Sequence, residues 1–163
     1  MAVRQIRLFG DPVLKTVSDP ITAIDDRVRR LVEDLVDTVT LPGRAGVAAS
    51  QIGVNLCAFS FNIDGDIGYI LNPQITELGG EPELVDEGCL SVPGLWFATP
   101  RHPFARVTGT DLDGGVIELE GTGLLAQALQ HEVDHLAGLL YIDRLDKPSR
   151  RQAMRQIRES DWF

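Results

Sequence analysis

Two of the three histidines of the chain lie four residues apart in the segment QHEVDHLAGLLY, residues 130–141. Glu132 directly follows His131, and His135 completes an H-E-x-x-H pattern. On an α-helix these imidazoles lie one turn apart, so both can bind one metal ion at about 2.0–2.1 Å. Chance placement on a surface helix is the alternative, and having only three histidines makes it the poorer one. The pattern therefore predicts a metal site in which Glu132 is a candidate general base.

A helix over residues 123–137 must position these groups, with Thr122 as its N-cap and Gly138 as its stop. At 100° per residue, the two histidines fall at the edge of an apolar arc formed by Leu125, Leu129, Val133 and Leu136. The far side of the helix carries Gln127, Gln130 and Asp134. Glu132 falls beside the histidines on the core side, where desolvation raises the pKa of a carboxyl group toward that of a general base.

A catalytic ion usually has three protein ligands and one open position, so two histidines do not complete the site. The metzincin pattern H-E-x-x-H-x-x-G-x-x-H matches through Gly138, but Tyr141 stands where the third histidine should be. The only other histidine, His102, lies far upstream. Thermolysin-like peptidases take their third ligand from a glutamate on a later helix, and the only glutamate after the motif, Glu159, lies near the C-terminus. The sequence therefore disfavours both main classes of H-E-x-x-H peptidase.

Cys89, in DEGCLSVPG, is the remaining soft donor, and as a thiolate it would bind a metal well. Gly88 and the Pro93-Gly94 pair indicate a turned, approachable backbone around it. The alternative for an isolated cysteine is a small buried hydrophobe. That interpretation is adopted for Cys57, which lies in the apolar stretch NLCAFSF.

The remaining elements predict an α+β domain spanning residues 1–163, in which small antiparallel or mixed sheets pack around the central H-E-x-x-H helix. An amphipathic helix is predicted over residues 24–40, and a C-terminal helix over about 148–159. Strands are predicted in NLCAFSFNI and YILNPQITEL, followed by a hairpin that turns at Asp113-Gly114. The order is helix, several strands, helix, helix.

Composition narrows the class of protein. The net charge of −9 argues against general nucleic-acid binding. No apolar run of about 18 residues predicts a membrane span, and the N-terminal segment lacks the features of a signal peptide. We therefore expect a cytoplasmic protein without membrane contact, in which two cysteines do not form a disulfide.

Three segments together resemble peptide deformylase in its bacterial, helix-terminated form: GVAASQIGV at 46–54, EGCLS at 87–91 and QHEVDHLAG at 130–138. The resemblance implies a hydrolase that removes the N-formyl group from the N-terminal formyl-methionine of nascent polypeptides and releases formate. It also implies one divalent ion per chain, natively Fe²⁺, with Zn²⁺, Ni²⁺ or Co²⁺ allowed by the donor types. A metallopeptidase and a metal-binding protein without catalysis are the alternative functions.

Carried over position by position, the resemblance assigns the metal ligands as Cys89, His131 and His135. Glu132 would accept the proton of the attacking water, while the side-chain amide of Gln51 and the backbone N–H of Leu90 would stabilise the oxyanion. The peptide would bind as an added strand through backbone groups near Gly46, Glu87 and Gly88. The methionine pocket would be formed by Ala45, Val85, Leu124, Ala128 and His131, with Gln127 at its border.

Two departures from the family pattern and one basic segment allow more than one interpretation from the sequence alone. Arg44 stands where the first family motif usually has glycine, which bears on the geometry of the substrate entrance. Residues 95–97, Leu-Trp-Phe, could line the rim of the cleft or pack on the sheet, and packing is preferred. The basic segment KPSRRQAMRQIRES is interpreted as either a solvated helix face or a contact with ribosomal RNA.

Overall fold

A computed structural model, which describes residues 2–163, contains three α-helices and seven β-strands in the order α1, β1 to β7, α2, α3. The helices are α1 Asp26–Val39, α2 Gly123–Leu136 and α3 Lys147–Arg158. The strands are β1 Gly46–Ala48, β2 Ala58–Ile63, β3 Asp66–Gly79, β4 Glu83–Cys89, β5 Val92–Arg101, β6 Phe104–Thr110 and β7 Val116–Thr122. The α+β class, the helix that carries H-E-x-x-H and the C-terminal helix are confirmed.

The strands form two antiparallel sheets. Five strands pair in the order β1-β2-β3-β6-β7, and β4 pairs with β5 in a separate two-stranded sheet. The predicted hairpin between β6 and β7 turns at Asp113-Gly114, where Gly114 has a φ of +80° and Asp111 accepts hydrogen bonds from the Asp113 and Gly115 amides. Because β4 pairs only with β5, its other edge pairs with no described strand.

Helix α2 is held against the five-stranded sheet by an apolar cluster. Ala126, Leu129 and Leu136 of the helix are buried in this cluster together with Phe59, Ile70, Ala105 and Val107 of the sheet. Helix α1 uses its own apolar face in a second cluster, which includes Val28, Leu31, Leu35, Val47 and Leu71. The H-E-x-x-H residues are thus carried by a helix that the sheet fixes in position.

Helix α3 is attached to the β4–β5 hairpin. Its N-cap Asp146 accepts a hydrogen bond from the Ser149 amide at 2.8 Å, and its fully buried Ala153 and Ile157 join a cluster with Val92 and Tyr141. Cys89 packs against the same cluster. The described residues include no helix that is both long and apolar enough to cross a bilayer.

Candidate metal centre

The three sequence motifs meet at one cleft of about 750 Å³. Its lining includes most of the predicted site residues: Ala45, Gly46, Gln51, Glu87, Gly88, Cys89, Leu90, Leu124, Ala128, His131 and Glu132. His135 lies deeper, with no exposed surface. Val85 is not part of this lining; it is partly buried in β4, where it pairs with Thr99. The cleft opens between α2, the β4–β5 hairpin and the segment that leads into β1.

Three donor atoms converge at the floor of this cleft. The Nε2 atoms of His131 and His135 are 3.2 Å apart, and Cys89 Sγ lies 3.4 Å from His135 Nε2. All three donors lie within 4.8 Å of one another. Tetrahedral coordination at usual bond lengths separates two nitrogens by about 3.3 Å, and a sulfur from a nitrogen by about 3.6 Å. The three side chains therefore fit a single metal ion.

The position of Cys89 depends on a shift in strand register. Gly88 pairs with Trp96, whereas Cys89 pairs with Val92, so the hairpin closes abruptly after the cysteine. The backbone around this turn is held from both ends of the chain: the Phe9 amide donates to the Ser91 carbonyl at 2.8 Å, and Trp162 Nε1 donates to the Pro93 carbonyl at 3.1 Å. Cys89 Sγ thus lies next to a turn whose backbone is fixed by two hydrogen bonds.

The two imidazoles have different surroundings. His131 Nδ1 is 2.7 Å from Glu87 Oε2, which directs its Nε2 toward the other donors. Burial alone would raise the pKa of Glu87, but the hydrogen bonds from Arg101 and His131 outweigh this opposing effect and lower the pKa to about 2. Burial and the neighbouring His131 hold the pKa of His135 well below its ordinary value. A neutral imidazole is the form that binds a metal, so burial favours His135 as a ligand.

Glu132 is buried beside the donors, and its Oε2 has no hydrogen-bond partner among the described residues. Burial raises its pKa to about 7. A cation at the neighbouring donors would oppose this shift, because opposite charge favours the carboxylate. A carboxylate that borders the cleft and has a free oxygen can accept a proton from a water molecule.

Gln51 and Leu90, the two expected oxyanion donors, both border the cleft. The Gln51 amide oxygen accepts a hydrogen bond from the Ala48 amide at 3.0 Å, which fixes the orientation of the side chain. Its Nε2 lies 3.7 Å from Cys89 Sγ and 3.2 Å from Ser91 Oγ. Leu90 lies in the turn between β4 and β5. Both potential donors are thus adjacent to the candidate ligands.

Sequence reasoning missed Arg101, which is buried and joins the hairpin to α2. Its guanidinium donates to both carboxylate oxygens of Glu87, at 2.9 and 2.6 Å, and to Asp134 at 2.7 Å. Asp134 and Gln130 were assigned to the far side of the helix, but both are buried, because β5 and the segment after α2 cover that side. A buried polar residue is satisfied through tertiary partners that helical periodicity does not reveal.

The other candidate ligands are engaged elsewhere. The Tyr141 hydroxyl donates to the Leu95 carbonyl at 3.1 Å, and His102 Nδ1 lies 2.9 Å from the Gly80 carbonyl. Glu159 is the exposed C-cap of α3. These positions agree with the sequence argument against both peptidase patterns.

The cleft rim includes three of the residues that the sequence singled out: Arg44, Leu95 and Trp96. Leu95 and Phe97 pack against the cluster under α3, but Leu95 also borders the cleft, as does Trp96, which is 65% exposed. The indole of Trp96 packs over the backbone of Gly88, where a Cβ atom would lie 2.8 Å from its ring, so Trp96 both packs on the β4–β5 sheet and borders the cleft. Arg44 also lines the cleft, and its guanidinium donates to the Thr38 carbonyl at 3.0 Å.

A cysteine sulfur and two imidazoles converging in an open cleft, beside a buried glutamate, are typical of the site of a metal-dependent hydrolase. The comparisons with known proteins identify the particular family. The family model described as "Polypeptide deformylase" matches residues 3–151. The chain belongs to this family, whose reaction is metal-dependent removal of the N-formyl group from the N-terminal formyl-methionine of nascent polypeptides, with release of formate.

Individual peptide deformylases are similar to this chain over nearly its full length. A peptide deformylase of Acidothermus cellulolyticus is 48% identical over 162 residues, covering 99% of this chain and 89% of the relative. Peptide deformylase 1 of Corynebacterium efficiens is 41% identical and covers 100% and 99%. Among solved structures, a Legionella pneumophila peptide deformylase superposes with a TM-score of 0.90 at 37% identity, covering 97% and 95%. An Ehrlichia chaffeensis peptide deformylase, crystallised with actinonin, gives 0.88 at 32%, covering 99% of both chains.

Proposed function

We propose that Cys89, His131 and His135 hold one divalent ion per chain, and that this ion is natively Fe²⁺. The convergence of the three donor atoms within 4.8 Å is the observation that carries the proposal. A thiolate with two imidazoles also accepts Zn²⁺, Ni²⁺ or Co²⁺, so these ions are expected to substitute. When bound, the ion polarises the formyl carbonyl and lowers the pKa of a nearby water.

Glu132 acts as the general base in this proposal. It accepts a proton from the attacking water and delivers it to the nitrogen of the leaving amine, so the products are formate and a free N-terminus. The buried position of Glu132 and its unpartnered Oε2 support this role. The Gln51 side-chain amide and the Leu90 backbone N–H donate to the oxyanion as it develops.

The substrate peptide binds as a strand along the free edge of β4. Since β4 pairs only with β5 among the described strands, its other edge can donate and accept backbone hydrogen bonds. Glu87 and Gly88 on β4, and Gly46 on β1, provide these backbone groups. Recognition through the backbone is indifferent to most side chains, which suits an enzyme that acts on many nascent chains.

The methionine side chain enters an apolar pocket next to the candidate ligands. This proposal rests on the position of Ala45, Leu124 and Ala128 in the cleft lining beside His131. Gln127 borders the pocket and donates to the Asp86 carbonyl at 3.1 Å, which ties the helix to β4. Val85, although outside the lining, is proposed to support this wall from β4.

The exposed face of α3 contacts ribosomal RNA in the cytoplasm, where formylated chains are made. Five cations surround one shallow surface pocket on this helix: Lys147, Arg150, Arg151, Arg155 and Arg158. Such a cluster is unusual in a chain of net charge −9 and matches a polyanion.

Residues 1–163 are proposed to act as a single catalytic domain.

The decisive experiment combines elemental analysis of anaerobically purified protein with an assay on formyl-Met-Ala. We expect one equivalent of iron and stoichiometric release of formate. Cleavage between methionine and alanine would indicate a peptidase, and neither product would indicate a binding protein. A Cys89→Ser variant that retains its metal as firmly as the wild type would refute the proposed ligand set.

A further inference from the structure

An unbroken series of charged groups runs from the protein surface to a candidate ligand. Arg144, which is half-exposed, donates to both carboxylate oxygens of Asp134, at 2.7 and 3.1 Å. Asp134 accepts from Arg101 at 2.7 Å, and Arg101 binds both oxygens of Glu87. Glu87 then contacts His131 Nδ1 at 2.7 Å. Basic and acidic side chains alternate from one end of this series to the other.

The series crosses between the two elements that carry the candidate ligands. Helix α2 carries His131 and His135, and strand β4 carries Cys89. One hydrogen bond and one ion pair of this series join the helix to the hairpin: the contact of Glu87 with His131 Nδ1, and the pair of Arg101 with Asp134. The distance between the sulfur and the imidazoles therefore depends on these contacts as well as on apolar packing.

Arg144 completes the charge balance of this buried group. Arg101 alone lies between two carboxylates, those of Glu87 and Asp134, and all three groups are at least nine-tenths buried. One guanidinium leaves a surplus negative charge, which the second guanidinium offsets from the surface. Without Arg144, one oxygen of Asp134 has no other described partner, so its carboxylate is free to rotate away from Arg101.

We propose that Asp134 and Arg144 are positioning residues that act through Arg101 and Glu87. They keep the donor atoms of His131 and Cys89 at the spacing that retains the metal. The inference rests on the proposed ligand set. Groups that orient ligands from outside the coordination shell typically change metal affinity or activity by about 10–100-fold when removed. Two residues, Asp134 and Arg101, lie between Arg144 and Glu87 in this series, so the effect of Arg144 belongs at the lower end of this range.

The test follows loss of Co²⁺ from fully loaded protein into excess chelator, using the absorption of the cobalt–thiolate bond. Arg144→Gln should release Co²⁺ about 10-fold faster than the wild type and shift the absorption band. Asp134→Asn, which keeps the shape of the side chain, should have at least as large an effect. Arg144→Lys restores the charge without the paired donors and should release the ion at an intermediate rate.

Arg106→Gln is the matched control. Arg106 also joins two acidic side chains, Glu77 and Glu120, but on the surface of the five-stranded sheet. It should alter the melting temperature at most and leave the rate of metal release unchanged. Equal acceleration in Arg106→Gln and Arg144→Gln would mean general destabilisation and would overturn the proposal.

Three further outcomes are distinguishable. A wild-type rate and spectrum in Arg144→Gln, whatever its melting temperature, would reduce Arg144 to a structural role. If Asp134→Asn does not fold, Arg144→Gln decides the question alone. Absence of a cobalt–thiolate band in the wild type would instead refute the ligand set, and with it the proposed function.

Discussion

Gly46 and Glu132 lie so close together that a Cβ atom at residue 46 would be 2.6 Å from the Glu132 carboxylate oxygen and 2.8 Å from its Cγ. A Cβ atom does not approach non-bonded heavy atoms this closely, so any larger residue at position 46 would displace Glu132. The first motif thus contributes a glycine that makes room for the candidate base on α2. This contact joins two motifs that are 86 positions apart in the sequence.

Gly46→Ala should therefore lower kcat while leaving the metal bound. Displacing a general base by about 1 Å can cost on the order of 100-fold in rate. Steady-state assays on formyl-Met-Ala and metal analysis of the same sample would measure both properties. The matched control is Gly68→Ala, where a Cβ would meet the Phe61 ring at 2.6 Å, away from the cleft. Equal loss of kcat in both variants would contradict the prediction.

Replacing Glu132 by glutamine should reduce kcat by about 10²–10⁴-fold, because the amide cannot accept the proton of the attacking water. Glutamine keeps the size of the side chain, and the three donor atoms are unchanged. Metal content should therefore equal that of the wild type. Turnover within a few-fold of wild type would remove Glu132 from the role of base.

Cys89→Ser should weaken metal binding by at least about 10-fold, or change the preferred ion, because an alcohol oxygen is a harder and poorer donor than a thiolate. Competition with a chelator for Zn²⁺ and for Co²⁺ would measure the change. Cys57→Ser serves as the control, since Cys57 lies in another apolar cluster and burial raises the pKa of its thiol. A similar loss of affinity in both variants would argue against Cys89 as a specific ligand.

Neutralising the exposed face of α3 should weaken ribosome association and make it less sensitive to salt. Truncation after residue 146 is a poor test, because it would remove the fully buried Ala153 and Ile157. The triple variant Arg150→Gln, Arg151→Gln, Arg155→Gln leaves those core positions intact. Its salt dependence should fall by about one unit of slope for each phosphate that the helix no longer neutralises, as measured by co-sedimentation.

An equal change of charge on α1 is the appropriate comparison for that experiment. Arg27, Arg29 and Arg30 are exposed on this helix, and their replacement by glutamine alters the net charge by the same amount. Weaker association in both triple variants would mean a general electrostatic effect rather than a docking surface on α3.

The helices were predictable because each has a local signature. The predicted ranges 24–40 and 123–137 agree with α1 and α2 to within about two residues at each end. The β4–β5 hairpin was not assigned as strands, since Gly88, Pro93 and Gly94 are typical of turns. Its pairing depends on a register shift at Cys89 that residue types do not encode locally.

The candidate ligands were accessible from spacing and donor chemistry, but their supporting residues were not. Arg101 and Asp134 carry no motif of their own that points to a buried ion pair. Their pairing exists because β5 covers the polar side of α2, a tertiary arrangement that places a guanidinium between two carboxylates. Helical periodicity places Asp134 on the far side of the helix, but it does not reveal that this side is covered.

Both tryptophans of the chain are associated with a single strand. The indole of Trp96 lies over Gly88 at the border of the cleft, and that of Trp162 donates a hydrogen bond to the Pro93 carbonyl near the start of β5. Intrinsic fluorescence excited at the indole band therefore reports on this hairpin rather than on the protein as a whole. A peptide that occupies the cleft would shield Trp96 from aqueous quenchers, so ligand entry can be followed without a label.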